Sequence, residues 1–175
     1  MPSRLRVPLG WVLGLALFYF ARPTVESLAL GLPLLVIGES IRVWASGHIE
    51  KTKSLAMGGP YAHSRNPLYV GSVLLAVGFA VAAASPSVAL AVLVYFAAFY
   101  PSVMKEEADF LRRKFPEEYS AWERDVPVFL PRVGPAGPRT SRFSWDRVTL
   151  NKEWRTVAAL PLVALLLLAR GALPY

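Results

Sequence analysis

The chain has 175 residues, 54% of them hydrophobic, with 19 Lys or Arg against 12 Asp or Glu and no cysteine. A mean hydropathy of +0.40, gathered into runs near membrane-spanning length, places it among membrane proteins. Absence of cysteine excludes a disulfide framework, a thiolate nucleophile and a Cys metal site, and two histidines, His48 and His63, are too few for a dedicated zinc site. The net charge of +7 follows the loops, so it reads as membrane topology and not as nucleic-acid binding.

The start, Met1-Pro2-Ser3-Arg4-Leu5-Arg6 before an apolar run, imitates a secretory signal. No small-x-small cleavage site precedes Ala21-Arg22-Pro23, so residues 7–20 are read as a first span. Residues 25–45 form a second, with Pro33 as a kink that neighbouring helices can repair. Near its end Glu39 and Arg42 stand three apart on one helical face. They are either an ion pair at the membrane edge, with Arg42 snorkelling, or a pair facing a bound polar ligand.

A polar connection from Gly47 to Lys53 leads to the stretch Gly59-Pro60-Tyr61-Ala62-His63-Ser64-Arg65-Asn66-Pro67-Leu68-Tyr69-Val70-Gly71. Its turns would leave backbone groups unpaired in hydrocarbon, so it lies at an interface or lines a cavity. Asn66-Pro67 predicts a helix beginning at Pro67, whose first N–H groups face the polar cluster as an anion site. The third span is predicted over 68–84, a turn at Ala84-Ser85-Pro86-Ser87, and the fourth over 87–103. Tyr95, Phe96, Phe99 and Tyr100 in the fourth read as packing or an interfacial belt.

From Lys105 a helix leaves the membrane, and Pro116 breaks it. Glu117 and Glu118 suit the first turn of a second helix. Phe115, Tyr119, Trp122 and Val126 recur at helical spacing, an apolar stripe that must dock on something. Residues 126–132 are extended by their prolines, 134–138 form a loop, 145–155 are polar and interfacial, and a last span covers 154–168.

Orientation comes from Lys and Arg. The N-terminus, the 42–66 loop and the 105–155 segment hold seventeen; the opposite side keeps Arg22 and Arg170. The rule of positive loops puts the N-terminus and both polar islands in the cytoplasm and the C-terminus outside. The expected fold is all-α. It is one membrane-embedded domain over 1–175, with about five transmembrane helices and a cytoplasmic helical segment between the fourth and fifth. In a bacterium this is a protein of the inner, cytoplasmic membrane.

Two islands on one membrane face can enclose a pocket. The order Gly59-Pro60-Tyr61, Arg65-Asn66-Pro67-Leu68-Tyr69-Val70-Gly71, Glu106-Glu107, Phe115-Pro116-Glu117-Glu118-Tyr119 and Val126-Pro127 resembles the isoprenylcysteine carboxyl methyltransferase and phospholipid methyltransferase family. The resemblance covers about residues 39–132. It implies an integral membrane enzyme that uses S-adenosylmethionine, with a cytosolic cofactor pocket and a lipophilic acceptor entering from the bilayer. It assigns Tyr61, His63, Arg65, Asn66, Pro67, Tyr69 and Gly71 to a cofactor motif, Glu106 and Glu107 to the acidic pair that closes the site, and Tyr119 to the tail that covers it. Arg65, Glu106 and Glu107 are the expected catalytic residues.

The residue chemistry is compatible. Arg65 can hold the cofactor carboxylate bidentately, carboxylates can take ribose hydroxyls or the amino group, and rings can stack adenine or face the sulfonium. The acceptor stays open between a prenyl-type carboxylate, a lipid amine, and a small hydrophobic thiol or acid. The alternative is a non-catalytic lipid-binding or transporter-associated bundle of the same fold.

Overall fold

The computed structural model describes residue 14 and residues 18–50, 53–137 and 141–172. Most of the expected first span, 7–20, lies outside them; Gly14 and residues 18–20 are helical. The described elements are helices α1 (Val25–Ser46), α2 (Pro67–Ala83), α3 (Pro86–Lys114), α4 (Pro116–Asp125), α5 (Trp145–Leu150) and α6 (Trp154–Gly171), with a 3-10 turn at Gly59–Ala62. The all-α expectation holds among the described residues.

Helix starts follow local chemistry. Thr24 caps α1: its Oγ1 accepts from Ser27 N at 3.1 Å while Ser27 Oγ accepts from Thr24 N at 2.9 Å. Helices α2, α3 and α4 each open with proline at the first position, where its missing N–H has no intrahelical partner to lose. Ala84 turns the chain between α2 and α3 in the left-handed region, at φ 47°.

Three helices, α1, α3 and α6, are long and apolar enough to cross a membrane; α2 is apolar but has 17 residues. The 29 residues of α3 make it about 43 Å long at 1.5 Å per residue, against about 30 Å of hydrocarbon. It is longer than a single crossing needs, and its C-terminal part carries Glu106 and Glu107 on the same continuous helix.

Helices α1 and α2 meet through glycines. A Cβ on Gly38 would lie 2.8 Å from Gly71 O, and one on Gly71 would lie 2.6 Å from Gly38 O. Seven residues away on each helix, Gly31 and Gly78 repeat the reciprocal contact. The two backbones touch directly, a packing that small residues permit between membrane helices.

The docking stripe finds its partner. Tyr119, Trp122 and Val126 are buried in a cluster with Ala45, Leu55, Met57 and Tyr61. A ten-residue helix is too short to persist alone, so α4 depends on this burial, about 1.5–3 kcal/mol for each large side chain.

Candidate active site

The polar stretch starts with a tight approach. Gly59 has φ +57°, and a Cβ there would run into the His48 imidazole, so only glycine fits. His48 is fixed in turn by donating Nδ1–H to Trp44 O at 2.9 Å. This seats the 3-10 turn and places Tyr61 under α4, where Trp122 Nε1 donates to Tyr61 O at 2.9 Å.

Residues 126–136 then run across the stretch and are hydrogen-bonded along it. Arg65 N donates to Pro127 O at 2.9 Å, and Ala136 N to Ala62 O at 2.9 Å. Ser64 Oγ donates to Phe129 O and Asn66 Nδ2 to Val128 O, both at 2.9 Å. His63 Nδ1 donates to Arg132 O at 2.9 Å, and Arg132 N returns a bond to His63 O at 3.0 Å.

Between the polar stretch, the end of α3 and α4 lies a cavity of about 320 Å3 lined by Tyr61, Arg65, Asn66, Glu107, Tyr119 and Trp122, and by Glu50, Leu55, Phe110 and Lys114 among others. The volume falls within the range of small-molecule sites, roughly 300–1,000 Å3. Arg65 and Lys114 supply positive charge, Glu50 and Glu107 negative charge, and the rings supply apolar walls. Glu107 Oε2 accepts from Tyr69 Oη at 3.0 Å. Tyr61 is buried, and burial first, then the nearby Glu107 carboxylate, push its hydroxyl well above its ordinary pKa. It therefore stays a neutral donor.

Arg65 is central to the geometry. Its Nη1 donates to Tyr119 Oη and to Glu123 Oε2, each at 3.3 Å. Its Nε is buried without a hydrogen-bond partner among the described residues. Glu123 is shared with Arg112, whose Nη2 donates to it at 2.8 Å. That bond, with the charges of Arg112 and Arg65, holds the Glu123 carboxyl below the usual carboxylate range. The two guanidinium carbons lie 5.2 Å (Arg112) and 6.0 Å (Arg65) from the Tyr119 ring centroid.

Tyr61, Arg65, Asn66, Glu107 and Tyr119 thus line one cavity, and Tyr69 bonds to its rim. Other expected site residues lie elsewhere. His63 and Pro67 line a separate groove with Trp44 and Pro131. Gly71 faces Gly38 and the Arg42 stem across the α1–α2 contact. Glu106 is exposed and is not among the lining residues, although it adjoins Glu107 in sequence. Sequence reasoning missed Glu50 and Trp122 in the cavity wall and Glu123 as the partner of Arg65. Glu123 had a signal: it follows Tyr119 by four on α4, so it shares that residue's face.

A family model described as phospholipid methyltransferase matches residues 11–118. The cobalt-zinc-cadmium resistance protein CzcN of Cupriavidus metallidurans is 35% identical over 106 residues, which cover 59% of this chain and 47% of that protein. The nickel-cobalt-cadmium resistance protein NccN of Alcaligenes xylosoxydans xylosoxydans is 35% identical over 106 residues, covering 59% of this chain and 48% of that protein. The match thus spans about half the length of these curated relatives. No solved structure matches.

Proposed function

Because this chain belongs to the phospholipid methyltransferase family, we propose that it is a membrane methyltransferase whose cavity beside Arg65 binds S-adenosylmethionine and whose acceptor is lipophilic. The observation that carries the reading is Arg65: a guanidinium on the cavity wall with a buried, unpartnered Nε. A buried donor without a partner is costly, and a ligand carboxylate would satisfy it. The residues present suit the rest of the cofactor. Glu107 and Glu50 offer acceptors for hydroxyls or an ammonium, and Tyr119 and Trp122 offer ring faces.

When bound, the cofactor supplies an electrophilic methyl group on a sulfonium. The chain's own part is to bind, orient and exclude water. Arg65 anchors one end, Tyr61 remains a protonated donor, and α4 walls the cavity through Tyr119 and Trp122. Positioning of this kind accounts for much of the rate in a transfer that needs an in-line approach. The acceptor, a prenyl-type carboxylate, a lipid amine or similar, reaches the site from the bilayer. What the relatives' names say about metals stays with those proteins; among the described residues no group of three or more His, Cys, Asp or Glu is placed to hold a metal ion.

The test is direct. Purified protein in detergent should bind S-adenosylhomocysteine in the micromolar range by calorimetry and gain thermal stability from it. Absence of both heat and thermal shift, in protein shown to be folded, would overturn the reading.

The orientation belongs to the same proposal. With five spans and seventeen positive residues against two, the cavity faces the cytosol and the C-terminus lies outside. A reporter fused after Tyr175 should be active only on the outer side; cytosolic activity would contradict it.

A further inference from the structure

Where α1, α2 and the start of α6 meet, Arg42 lies between two glutamates and divides itself unevenly. Its Nε donates to Glu153 Oε1 at 2.7 Å, its Nη2 lies 2.6 Å from the same oxygen, and its Nη1 donates to Ser72 Oγ. Glu39 is left at 3.7 Å from an Nε that already donates to Glu153. Glu39 is 5% exposed, and neither of its carboxylate oxygens has a hydrogen-bond partner. Two carboxyl groups share one guanidinium, and Glu39 is the one left without a hydrogen bond among the described residues.

Glu39 also lines a groove of about 400 Å3 that shares no residue with the cofactor cavity. Its walls are Val36, Val43, Val157 and Leu160, with Trp44 and Phe143 toward the loop end of α1. Val36, Trp44 and Val157 are exposed on helices long and apolar enough to cross a membrane, a placement that opens the groove toward lipid.

We propose that this groove binds an amphiphile with one hydrocarbon chain and a cationic ammonium headgroup, the headgroup on Glu39 and the chain along the valines. A groove of this size suits a small ligand and not a protein segment. A neutral lipid tail would cover the walls but leave the buried Glu39 oxygens without a hydrogen-bond partner, which is costly. An anionic headgroup would add like charge. An ammonium supplies a countercharge to an ionised Glu39 and up to three donors, and Trp44 offers it a ring face. The site stands apart from the methyl-transfer cavity, and its existence does not depend on that activity.

The experiment uses the full chain in phosphatidylcholine vesicles with a photoactivatable dodecylammonium probe, and maps labelled peptides by mass spectrometry. Labelling should fall within residues 36–44 and 157–160. Unlabelled dodecylammonium should compete about tenfold better than dodecanol or dodecyl sulfate, the effect of one charge-assisted hydrogen bond. Glu39→Gln should remove that preference, and Leu160→Trp should reduce labelling with the charge group intact. Equal competition by dodecanol, which marks a groove for any lipid chain, would overturn the proposal, as would an unchanged preference in Glu39→Gln. The competition in the unaltered protein decides the matter even if Glu39→Gln fails to fold.

Discussion

Arg65→Met should weaken S-adenosylhomocysteine binding by about tenfold to a hundredfold or more, with the overall helix content kept. The side chain supplies donors to the cavity from a half-buried position, 14% exposed, and each charge-assisted bond lost is worth about 1.5–3 kcal/mol. Methionine keeps much of the stem packing and removes the charge. Arg65 also holds Glu123, so the substitution has a second route to weaker binding: a loosened α4. Glu123→Gln separates the two. It breaks the ion pair on the α4 side while the guanidinium remains on the cavity wall. Calorimetry on both proteins, with thermal midpoints in detergent, gives the answer. A large loss confined to Arg65→Met supports a ligand contact. Equal losses in both would reduce Arg65 to an anchor for α4 and remove the main support for the cofactor reading.

Gly38→Leu should destabilise the membrane core by about 3 kcal/mol or more, seen as a much lower thermal midpoint and poor recovery in detergent. A Cβ at this position already falls 2.8 Å from Gly71 O and 2.9 Å from Leu75 N, and both are backbone atoms that cannot swing aside. Relief requires the two helices to separate, which also strips the Gly31–Gly78 contact seven residues away. Overpacking a tight core costs about 1–3 kcal/mol, and loss of a second contact adds to it. Gly134→Leu is the control. It lies in an exposed loop where an added Cβ meets nothing within 4 Å, and it should leave the midpoint unchanged. If Gly38→Leu behaves like Gly134→Leu, the close α1–α2 contact does not hold the bundle together.

Features that depend on neighbours in sequence were legible. Pro67 and Pro116 marked two helix starts because proline suits the first helical turn, and Pro86, read as part of a turn, opens a helix as well. The spacing of Tyr119, Trp122 and Val126 foretold a buried face, and that face packs on Tyr61. Five expected site residues line one cavity, since the resemblance preserved their order along the chain. Pairings across long separations were not legible. The main partner of Arg42 is Glu153, 111 residues away, so neither local reading of the Glu39–Arg42 pair described it. Gly71 looked like part of a ligand motif, yet its open side is filled by another helix. His63 and Asn66 carry groups suited to a ligand, but in the fold those groups bond to the carbonyls of Arg132 and Val128. Only the path of a distant segment decides such a choice.

That path constrains how the protein is made. Ala62 to Asn66 hydrogen-bond to residues between 127 and 136, well after the family match ends at residue 118. As the ribosome delivers α1, α2 and α3 to the membrane, the amide of Arg65 and the side chains of Ser64 and Asn66 must wait in water. Their partners emerge only after α4. The hydrogen bonding of the stretch that carries Arg65 is therefore a late product of synthesis, complete only when residue 136 is free to settle.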